Sequence, residues 1–263
     1  VGCLMSNILS LSIIMPALNE EENVYAAIIN TLNSFDDLGL DAEIIVVNDG
    51  STDRTPEIVK DLCKKDQRVK LISHTTPEGI GASFWDGVDH STKDTISMQP
   101  GDNENDPNEI IRYLNLLNHV DMVVPFVFNP QVRSLWRCSL SYIFRFIVNT
   151  TFLVNFHYTN GTVIYRKSIL QEIKHRNRGF FFQTDILIRS VKRGYLFAEV
   201  PYRLGMRGSG ASKAISYPSL INVIKGYFRL AFDFYFNKNC RFDQPFSEKS
   251  STLERHKSIR QTE

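Results

Sequence analysis

The fold can be worked out from one stretch, Asp41-Ala42-Glu43-Ile44-Ile45-Val46-Val47-Asn48-Asp49-Gly50-Ser51-Thr52-Asp53. Its centre is a continuous apolar run of strand length, as expected of a parallel strand that is buried on both faces. The run ends in a polar turn, and Pro56 then opens a helix predicted to reach Lys64. A buried strand, a polar turn and a helix in this order predict one unit of a parallel α/β sheet.

The same order recurs on both sides of this stretch. Strands are predicted at residues 8–15, where Pro16 stops the run, at 69–73 and at 94–98. Helices are predicted at residues 22–33 and after the turn Gly79-Ile80-Gly81-Ala82. The alternation indicates an α/β fold with a mostly parallel central sheet and helices on both of its faces.

Polar residues or glycine follow each predicted strand end, at Asn19, Asp49, Asp53, Gly79 and Asp102. Ligands of open α/β sheets bind outside the carboxyl ends of the strands. Since those ends meet at one edge of the sheet, we expect a binding site there.

The turn after the fourth predicted strand is Gln99-Pro100-Gly101-Asp102-Asn103-Glu104-Asn105-Asp106-Pro107. Asp102 and Glu104 lie two residues apart, a spacing that can aim two carboxylates at one point. Hard oxygen ligands of this kind suit Mg²⁺ or Mn²⁺ carrying phosphate oxygens. The same residue types also form turns that cap helices, and this segment alone leaves both interpretations open.

The second half of the chain contains two aromatic helical segments, residues 134–155 and 217–237. Their apolar side chains recur at helical spacing, which favours a pair of core helices. The alternative is an amphipathic surface in a lipid interface, with Arg133, Arg137 and Arg145 reaching the headgroups.

A glycine-rich loop with two cations runs from Arg207 to Lys213. Close backbone approach at its glycines, with charge-assisted hydrogen bonds from the two cations, predicts a phosphate clamp. A mobile solvated loop is the alternative. We expect a single domain over residues 8–237, including a C-terminal amphipathic helix, and a polar, disordered tail over 238–263.

Composition excludes several classes of protein. The 263 residues are 43% hydrophobic and carry a net charge of +1, so no global field indicates nucleic-acid binding. The four cysteines show no zinc spacing, and no apolar run approaches the roughly 18 residues of a spanning helix. With no basic region before the first apolar run, we expect no signal peptide. We therefore expect a cytoplasmic protein with peripheral contact to the cytoplasmic face of a membrane.

Over about residues 10–235, these segments together resemble the family 2 inverting glycosyltransferases. Within that family the chain is most similar to polyprenyl-phosphate sugar synthases of the dolichyl-phosphate mannose synthase type. Residues 13–20 resemble the family's opening strand, and residues 46–53 its DDGSxD nucleotide motif, with Asn48 in place of the first Asp. Gly79-Ile80-Gly81-Ala82 resembles the family's glycine turn.

The later motifs follow in the family's order. Residues 158–161 stand at its acceptor-side Ser-Gly turn, and residues 182–185 at the start of its acidic helix. Arg207, Gly210, Ser212 and Lys213 reproduce the RxxGxSK spacing of the lipid-phosphate synthases. In the metal motif, Pro100 takes the place of the first Asp, while Asp102 and Glu104 keep the next two ligand positions.

The resemblance implies a GT-A type nucleotide-diphospho-sugar transferase fold and a set of site residues. The nucleotide-sugar donor, a GDP- or UDP-sugar, would contact Pro16, Leu18, Asn19, Glu20, Asn48, Asp49, Gly50, Ser51, Asp53, Gly79, Gly81, Gln99 and Asp102. Thr159, Asn160, Gly161 and Ser212 would bind the acceptor, and Asp102 and Glu104 would hold Mg²⁺ or Mn²⁺. Asp102, Asp185, Arg207 and Lys213 would be catalytic.

The implied reaction is an inverting displacement at the anomeric carbon, with metal taking up the charge of the leaving diphosphate. A polyprenyl phosphate acceptor, of dolichyl or undecaprenyl type, is already an anion and needs no strong base. A sugar hydroxyl acceptor would need one, and Asp185 is the candidate. The alternative for Asp185 is a solvated carboxylate near a helix N-terminus.

Three other functions stay open at this stage. The first is transfer to a glycan or lipopolysaccharide hydroxyl. The second is nucleotide-sugar binding without catalysis, which Pro100 and Asn48 suggest. The third is nucleotidyl transfer, but that class would carry a basic glycine-rich loop after the first strand, where this chain has the acidic stretch Pro16-Ala17-Leu18-Asn19-Glu20.

Overall fold

The computed structural model describes residues 9–129, 135–203, 205, 217–237 and 245–260. Strands and helices alternate through the first half, as β1 (Leu11–Ala17), α1 (Val24–Asp37), β2 (Ala42–Asp49), α2 (Thr55–Lys65), β3 (Val69–His74), α3 (Ile80–His90) and β4 (Thr95–Met98). Short helices follow, α4 (Asn108–Ile111) and a 3₁₀ helix (Leu114–Asn118). The second half contains β5 (Met122–Val127), α5 (Leu135–Phe152), β6 (Ile164–Arg166), α6 (Lys167–Gln171), α7 (Phe182–Lys192), β7 (Phe197–Tyr202), α8 (Tyr217–Tyr235) and α9 (Ser251–Arg260).

Seven strands form one sheet in the order β3-β2-β1-β4-β6-β5-β7. Strand β6 is antiparallel to both of its neighbours, β4 and β5, and the other strand pairs are parallel. The predicted α/β class and the mostly parallel sheet are confirmed.

Two hydrophobic cores cover the two faces of the sheet. One contains Ile13 and Met15 of β1 with side chains of α1, α2 and α4. The other contains Ile14 of β1 with side chains of α3, α5, α6, α7 and α8. Successive side chains of β1 therefore point into opposite cores, as expected of a strand that is covered on both faces.

Strand β1 continues past Pro16, which was predicted to end it. The carbonyl of Pro16 accepts from the Gly101 amide on the β4 side, 3.0 Å away. The nitrogen of Pro16 faces the same side, and the β1–β4 ladder has already ended at Ile14. No strand hydrogen bond is lost there, so proline is tolerated.

Helices α5 and α8 contact each other. The Thr151 and Tyr227 hydroxyls lie 2.7 Å apart, and the Phe152 ring packs edge-on against Tyr227 and Phe234. The interpretation of residues 134–155 as a core helix is nevertheless wrong for most of α5, where the described side chains of only Val148 and Phe152 are buried.

Much of the apolar surface of these two helices faces outward. We call it the aromatic surface, and its exposed members are Leu135, Trp136, Leu140, Tyr142, Ile143, Phe146, Ile147, Leu220, Ile224, Phe228, Phe232, Tyr235 and Phe236. Among the described helices, none is both long and apolar enough to cross a membrane.

The C-terminal segment differs from the prediction of a disordered tail, since residues 251–260 form helix α9. Its first residues are buried against Asp121, which immediately precedes β5. The predicted tail residues 238–244 and 261–263, and the predicted phosphate clamp from Arg207 to Lys213, lie outside the described residues.

Candidate active site

The loops after β1 and β2 are locked together at the carboxyl edge of the sheet. The Asn19 amide donates to the Ser51 hydroxyl over 2.9 Å, and the Thr52 amide donates to Asn19 Oδ1 over 2.8 Å. Asn19 has a φ of 51°, a left-handed conformation that asparagine tolerates better than most residues. The Glu20 amide donates to the Thr55 hydroxyl over 2.9 Å. Two predicted donor-binding segments thus form one surface.

The carboxylate of Asp53 also connects the loops after β1 and β2. It accepts from the amides of Glu21, at 3.1 Å, and Thr55, at 3.0 Å. Burial acts to raise the pKa of Asp53, but hydrogen bonds from Thr55 and Glu21 outweigh it, so the pKa is lowered. The contacts of Asp53 are those of a residue that fixes the loop and the start of α2.

Three further predicted donor-binding residues, Pro16, Asn48 and Gln99, are buried. Asn48 Oδ1 accepts from the Ser51 amide at 3.2 Å, and the Gln99 amide donates to the Ile14 carbonyl at 2.9 Å. These residues therefore form the support beneath the site, whereas Leu18, Glu20 and Ser51 are partly exposed at its surface.

Asp49 organises the turn between β3 and α3. Its carboxylate is buried and accepts from the Glu78 amide at 2.7 Å and the Gly79 amide at 2.9 Å. The ring of His74, at the end of β3, lies with Nδ1 2.8 Å from the same carboxylate. Sequence reasoning missed His74, because a single histidine at a strand end forms no recognisable pattern.

The glycine turn before α3 allows a close backbone contact. Gly79 has a φ of +101°, which side-chain-bearing residues rarely adopt. A Cβ on Gly81 would lie 2.6 Å from the carbonyl carbon of Arg178, whose oxygen accepts from the Ala82 amide. The segment before α7 thereby caps the start of α3. Arg178 also forms an ion pair with Glu78.

The turn that carries the predicted metal ligands follows β4 directly. Asn103 adopts a left-handed conformation with a φ of 55°, and its side-chain oxygen accepts from Asn30 of α1. The Glu104 amide donates to Asp102 Oδ1 over 3.2 Å. Both acidic side chains are half-buried. The turn therefore places two acidic residues, two apart in the sequence, at the carboxyl edge of the sheet, with the Glu104 backbone against the Asp102 carboxylate.

The chain after β7 packs against this turn. Tyr202 donates its hydroxyl to Asn105 over 3.0 Å, and the Arg203 amide donates to Glu109 over 2.8 Å. A Cβ on Gly205 would lie 2.7 Å from the carbonyl oxygen of Glu104. The glycine-rich loop with its two cations begins two residues later in the sequence.

The predicted acceptor turn meets the start of α7. Gln183 donates its side-chain amide to the Gly161 carbonyl over 2.6 Å, and the Thr184 hydroxyl donates to Asn160 over 3.2 Å. Thr159 is buried and Asn160 is exposed. The structure thus brings together two segments predicted to act near the acceptor, while Ser212 lies outside the described residues.

Asp185 directly follows Thr184 on α7 and is only 2% exposed. Its carboxylate accepts from Arg189 Nε at 3.0 Å, and Arg189 also donates to Asp233 of α8 at 2.8 Å. Burial raises the pKa of Asp185, and the nearby Arg189 charge offsets this only in part. Asp185, Arg189 and Asp233 together form an ion-pair bridge between α7 and α8.

The fold is that of a nucleotide-sugar transferase of GT-A type. A family model described as "Glycosyl transferase family 2" matches residues 12–174, more than half of the chain. The chain belongs to glycosyl transferase family 2 and is an inverting glycosyltransferase.

Two curated relatives are similar over most of the chain. Polyprenol monophosphomannose synthase of Mycolicibacterium smegmatis is 27% identical over 236 residues, which cover 83% of this chain and 84% of that protein. Undecaprenyl-phosphate 4-deoxy-4-formamido-L-arabinose transferase of Edwardsiella ictaluri is 26% identical over 204 residues, covering 77% of this chain and 62% of that protein.

Solved structures of the same fold include glucosyl-3-phosphoglycerate synthase from Mycobacterium tuberculosis. Its complex with phosphoglyceric acid has a TM-score of 0.65 and 19% identity, and the match covers 85% of this chain and 80% of that one. A complex of that enzyme with Mn²⁺, UDP and phosphoglyceric acid has the same TM-score and identity, covering 85% of this chain and 78% of that one. At this identity the likeness shows the fold alone.

Proposed function

We propose that this enzyme transfers a sugar from a nucleoside diphosphate sugar to a polyprenyl phosphate, with inversion at the anomeric carbon. The observation that carries the proposal is the close approach of Gly205 to Glu104. It sets the chain that leads into the cationic loop beside the turn with the two acidic residues. The names of two relatives, a polyprenol monophosphomannose synthase and an undecaprenyl-phosphate transferase, support the same class of acceptor.

The donor occupies the interlocked surface between the loops after β1 and β2. Leu18, Asn19, Glu20 and Ser51 are accessible there, as is Gly79 at the start of α3. Pro16, Asn48, Asp49 and Gln99 hold that surface from beneath. UDP and GDP are both candidate nucleotides.

Asp102 and Glu104 hold a divalent cation, Mg²⁺ or Mn²⁺, with the donor diphosphate. The left-handed Asn103 between them and their half-buried position suit a small oxygen-coordinated ion. When bound, the ion supplies positive charge for the leaving diphosphate. Replacement of the first motif Asp by Pro100 leaves two carboxylates for this task.

The burial of Asp185 favours a phosphate acceptor over a sugar hydroxyl. A hydroxyl acceptor needs a base within hydrogen-bond reach. Asp185 is instead enclosed in an ion pair with Arg189. A phosphate acceptor is already an anion, and the cations it needs are Arg207 and Lys213 of the adjoining loop.

The aromatic surface of α5 and α8 meets the membrane that contains the acceptor. Its exposed rings are accompanied by Arg137, Arg145, Lys225 and Arg229 on the same helices. Apolar rings combined with cations are typical of helices that lie in an anionic lipid interface.

Alanine substitution of Arg207 and Lys213 tests the acceptor assignment. Loss of one charge-assisted hydrogen bond should lower kcat/KM for a polyprenyl phosphate about tenfold or more. Hydrolysis of the sugar donor by water should fall less. Arg203→Ala, at an exposed arginine just before the loop, is the matched control and should keep activity.

The same assays include Asp102→Ala and a chelator, each of which should abolish transfer. Full activity under either condition would exclude the metal assignment. If acceptor use is unchanged in Arg207→Ala and Lys213→Ala while Asp185→Ala abolishes transfer, the acceptor is a hydroxyl and Asp185 is its base.

A further inference from the structure

The ring of His74 lies between two carboxylates. Its Nδ1 is 2.8 Å from Asp49 Oδ1, and its Nε2 is 3.0 Å from Asp86 Oδ2. The side chain is 8% exposed, and that of Asp49 is 7% exposed. His74 ends β3, Asp49 ends β2, and Asp86 belongs to α3. One imidazole therefore connects three elements at the carboxyl edge of the sheet.

Both contacts can be hydrogen bonds only if the ring carries two protons. A carboxylate accepts and does not donate, and a neutral imidazole has a single N–H. In either neutral tautomer, one ring nitrogen would face a carboxylate oxygen with two lone pairs opposed. Two carboxylate contacts at these distances therefore favour an imidazolium, in which both ring nitrogens donate.

Other charged groups face the ring as well. Glu78, on the turn before α3, lies close enough that one of its carboxylate oxygens, a ring nitrogen of His74 and an Asp86 carboxylate oxygen are all within 4.8 Å of one another. Arg178, from the segment before α7, is paired with Glu78. Burial acts to lower the pKa of His74, but the hydrogen bond and charge of Asp49, with Glu78 and Asp86, outweigh it, so the pKa is raised.

The Asp49 carboxylate transmits this contact to the glycine turn. Apart from His74, Asp49 accepts from the amides of Glu78 and Gly79, which fixes the backbone immediately before α3. Asp86 lies less than two turns further along the same helix. His74 thus holds α3 at two points, through Asp49 at its start and through Asp86 on its body.

We propose that His74, in its charged form, is a positioning residue for the nucleotide-sugar donor, and that deprotonation of the ring breaks its contact with Asp86, loosens α3 and weakens donor binding. The proposal rests on the proposed function only in assigning the glycine turn to the donor. The neutral ring keeps one of its two hydrogen bonds, so the turn loosens without unfolding.

Calorimetric binding of UDP and of GDP, each with Mg²⁺, tests this without any acceptor. Affinity should fall as the pH rises through the pKa of His74, which lies above its ordinary value of 6.5. In His74→Gln the affinity should be about tenfold weaker at the lower pH, the effect of one lost charge-assisted hydrogen bond. The nucleotide affinity of His74→Gln should also no longer depend on pH in this range, because glutamine does not titrate.

Asp86→Asn provides a second variant that keeps the histidine and its bond to Asp49. It should remove most of the pH dependence while thermal unfolding still shows a folded protein. His90→Gln is the matched control, since His90 is exposed at the end of the same helix and its Nδ1 lies 2.8 Å from the Asp86 backbone carbonyl oxygen. His90→Gln should bind nucleotide as the unmodified enzyme does.

A nuclear magnetic resonance titration of ¹⁵N-labelled histidine, with His74→Gln to assign the signal, measures the charge state of the ring directly. Both ring nitrogens of His74 should be mostly protonated at pH 6.5, because the pKa of the ring lies above that value. A neutral His74 ring at pH 6.5, or nucleotide affinity in His74→Gln equal to that of the unmodified enzyme at every pH, would overturn the proposal. If nucleotide binds as expected but no polyprenyl phosphate is used, the proposed function fails and this inference stands.

Discussion

Glu43 illustrates at the scale of one residue how a buried charge is kept in this fold. It lies at the start of β2, at the edge of the sheet opposite the candidate active site. Its carboxylate accepts from the Ser12 hydroxyl, the Lys70 ammonium and both the amide and hydroxyl of Thr92. Burial acts to raise the pKa of Glu43, but these hydrogen bonds, led by Lys70, lower it from 4.5 to about 2.

The lowered pKa predicts acid sensitivity. A carboxylate whose pKa is lowered by folding stabilises the fold at pH values above its pKa in the unfolded state. That stabilisation is lost as the pH falls through the pKa in the folded state. Glu43 should therefore contribute about 3 kcal/mol to the free energy of unfolding at neutral pH. This contribution should disappear between pH 4.5 and about 2. Denaturant unfolding over a pH series measures it.

Glu43→Gln should be less stable at neutral pH and should lose less stability below pH 4.5 than the unmodified protein. The control is Glu57→Gln, at an exposed glutamate in the first turn of α2, which should leave the pH dependence unchanged. Parallel stability curves for Glu43→Gln and the unmodified protein would show that Glu43 does not cause the acid loss.

Helix α9 shows at the scale of one element how a polar segment is held without a large apolar face. The Ser251 amide donates to Asp121 Oδ1 over 2.7 Å, and the Thr252 amide donates to Asp121 Oδ2 over 3.2 Å. The Leu196 amide shares the second oxygen at 3.3 Å. A carboxylate at the start of a helix satisfies amides that have no partner within the helix and interacts favourably with its dipole.

Asp121→Asn should release α9, although the asparagine side chain has nearly the same shape as the aspartate. The amide group of asparagine would face backbone N–H donors, at a cost of about 1–3 kcal/mol for the unsatisfied buried groups. Hydrogen exchange over residues 250–260 should become faster, with a lower melting temperature. Glu254→Gln, at an exposed position of the same helix, should leave the exchange unchanged. Equal protection in Asp121→Asn would mean that other contacts hold the helix.

The molecule as a whole has two different surfaces. The carboxyl edge of the sheet carries polar loops, and helices α5 and α8 present exposed aromatic rings. Trp136 is 70% exposed, Phe228 65% and Phe146 62%. Large exposed apolar patches mark sites of contact with proteins or membranes. The proposed lipid acceptor makes a membrane the expected partner here.

Sedimentation with vesicles that contain anionic phospholipid tests this expectation. The unmodified protein should bind at low salt, and Phe146→Ser combined with Phe228→Ser should weaken binding about a hundredfold or more, since each buried ring contributes about 1.5–3 kcal/mol. Tyr25→Ser is the matched control, because Tyr25 is an aromatic residue of α1 that is 53% exposed. Equal sedimentation of all variants would exclude the aromatic surface as the lipid contact.

The sequence by itself determined the α/β class, the mostly parallel sheet and the edge at which polar residues gather. These features depend on local patterns, namely apolar runs of strand length and helices that alternate with them, which a single chain reveals directly. It also determined the family, because the motifs stand in a fixed order along the chain.

Only the tertiary structure decided which polar residues face the site and which support it. Asp53 and Asp49 accept hydrogen bonds from backbone amides of neighbouring loops, and His74 contacts both Asp49 and Asp86. Asp121 holds a helix that begins 130 residues later. The same holds for the aromatic helices α5 and α8. The periodicity of their sequence shows that one face is apolar, but it does not show what packs against that face. Contacts between distant residues depend on how the elements pack, and no local pattern encodes them.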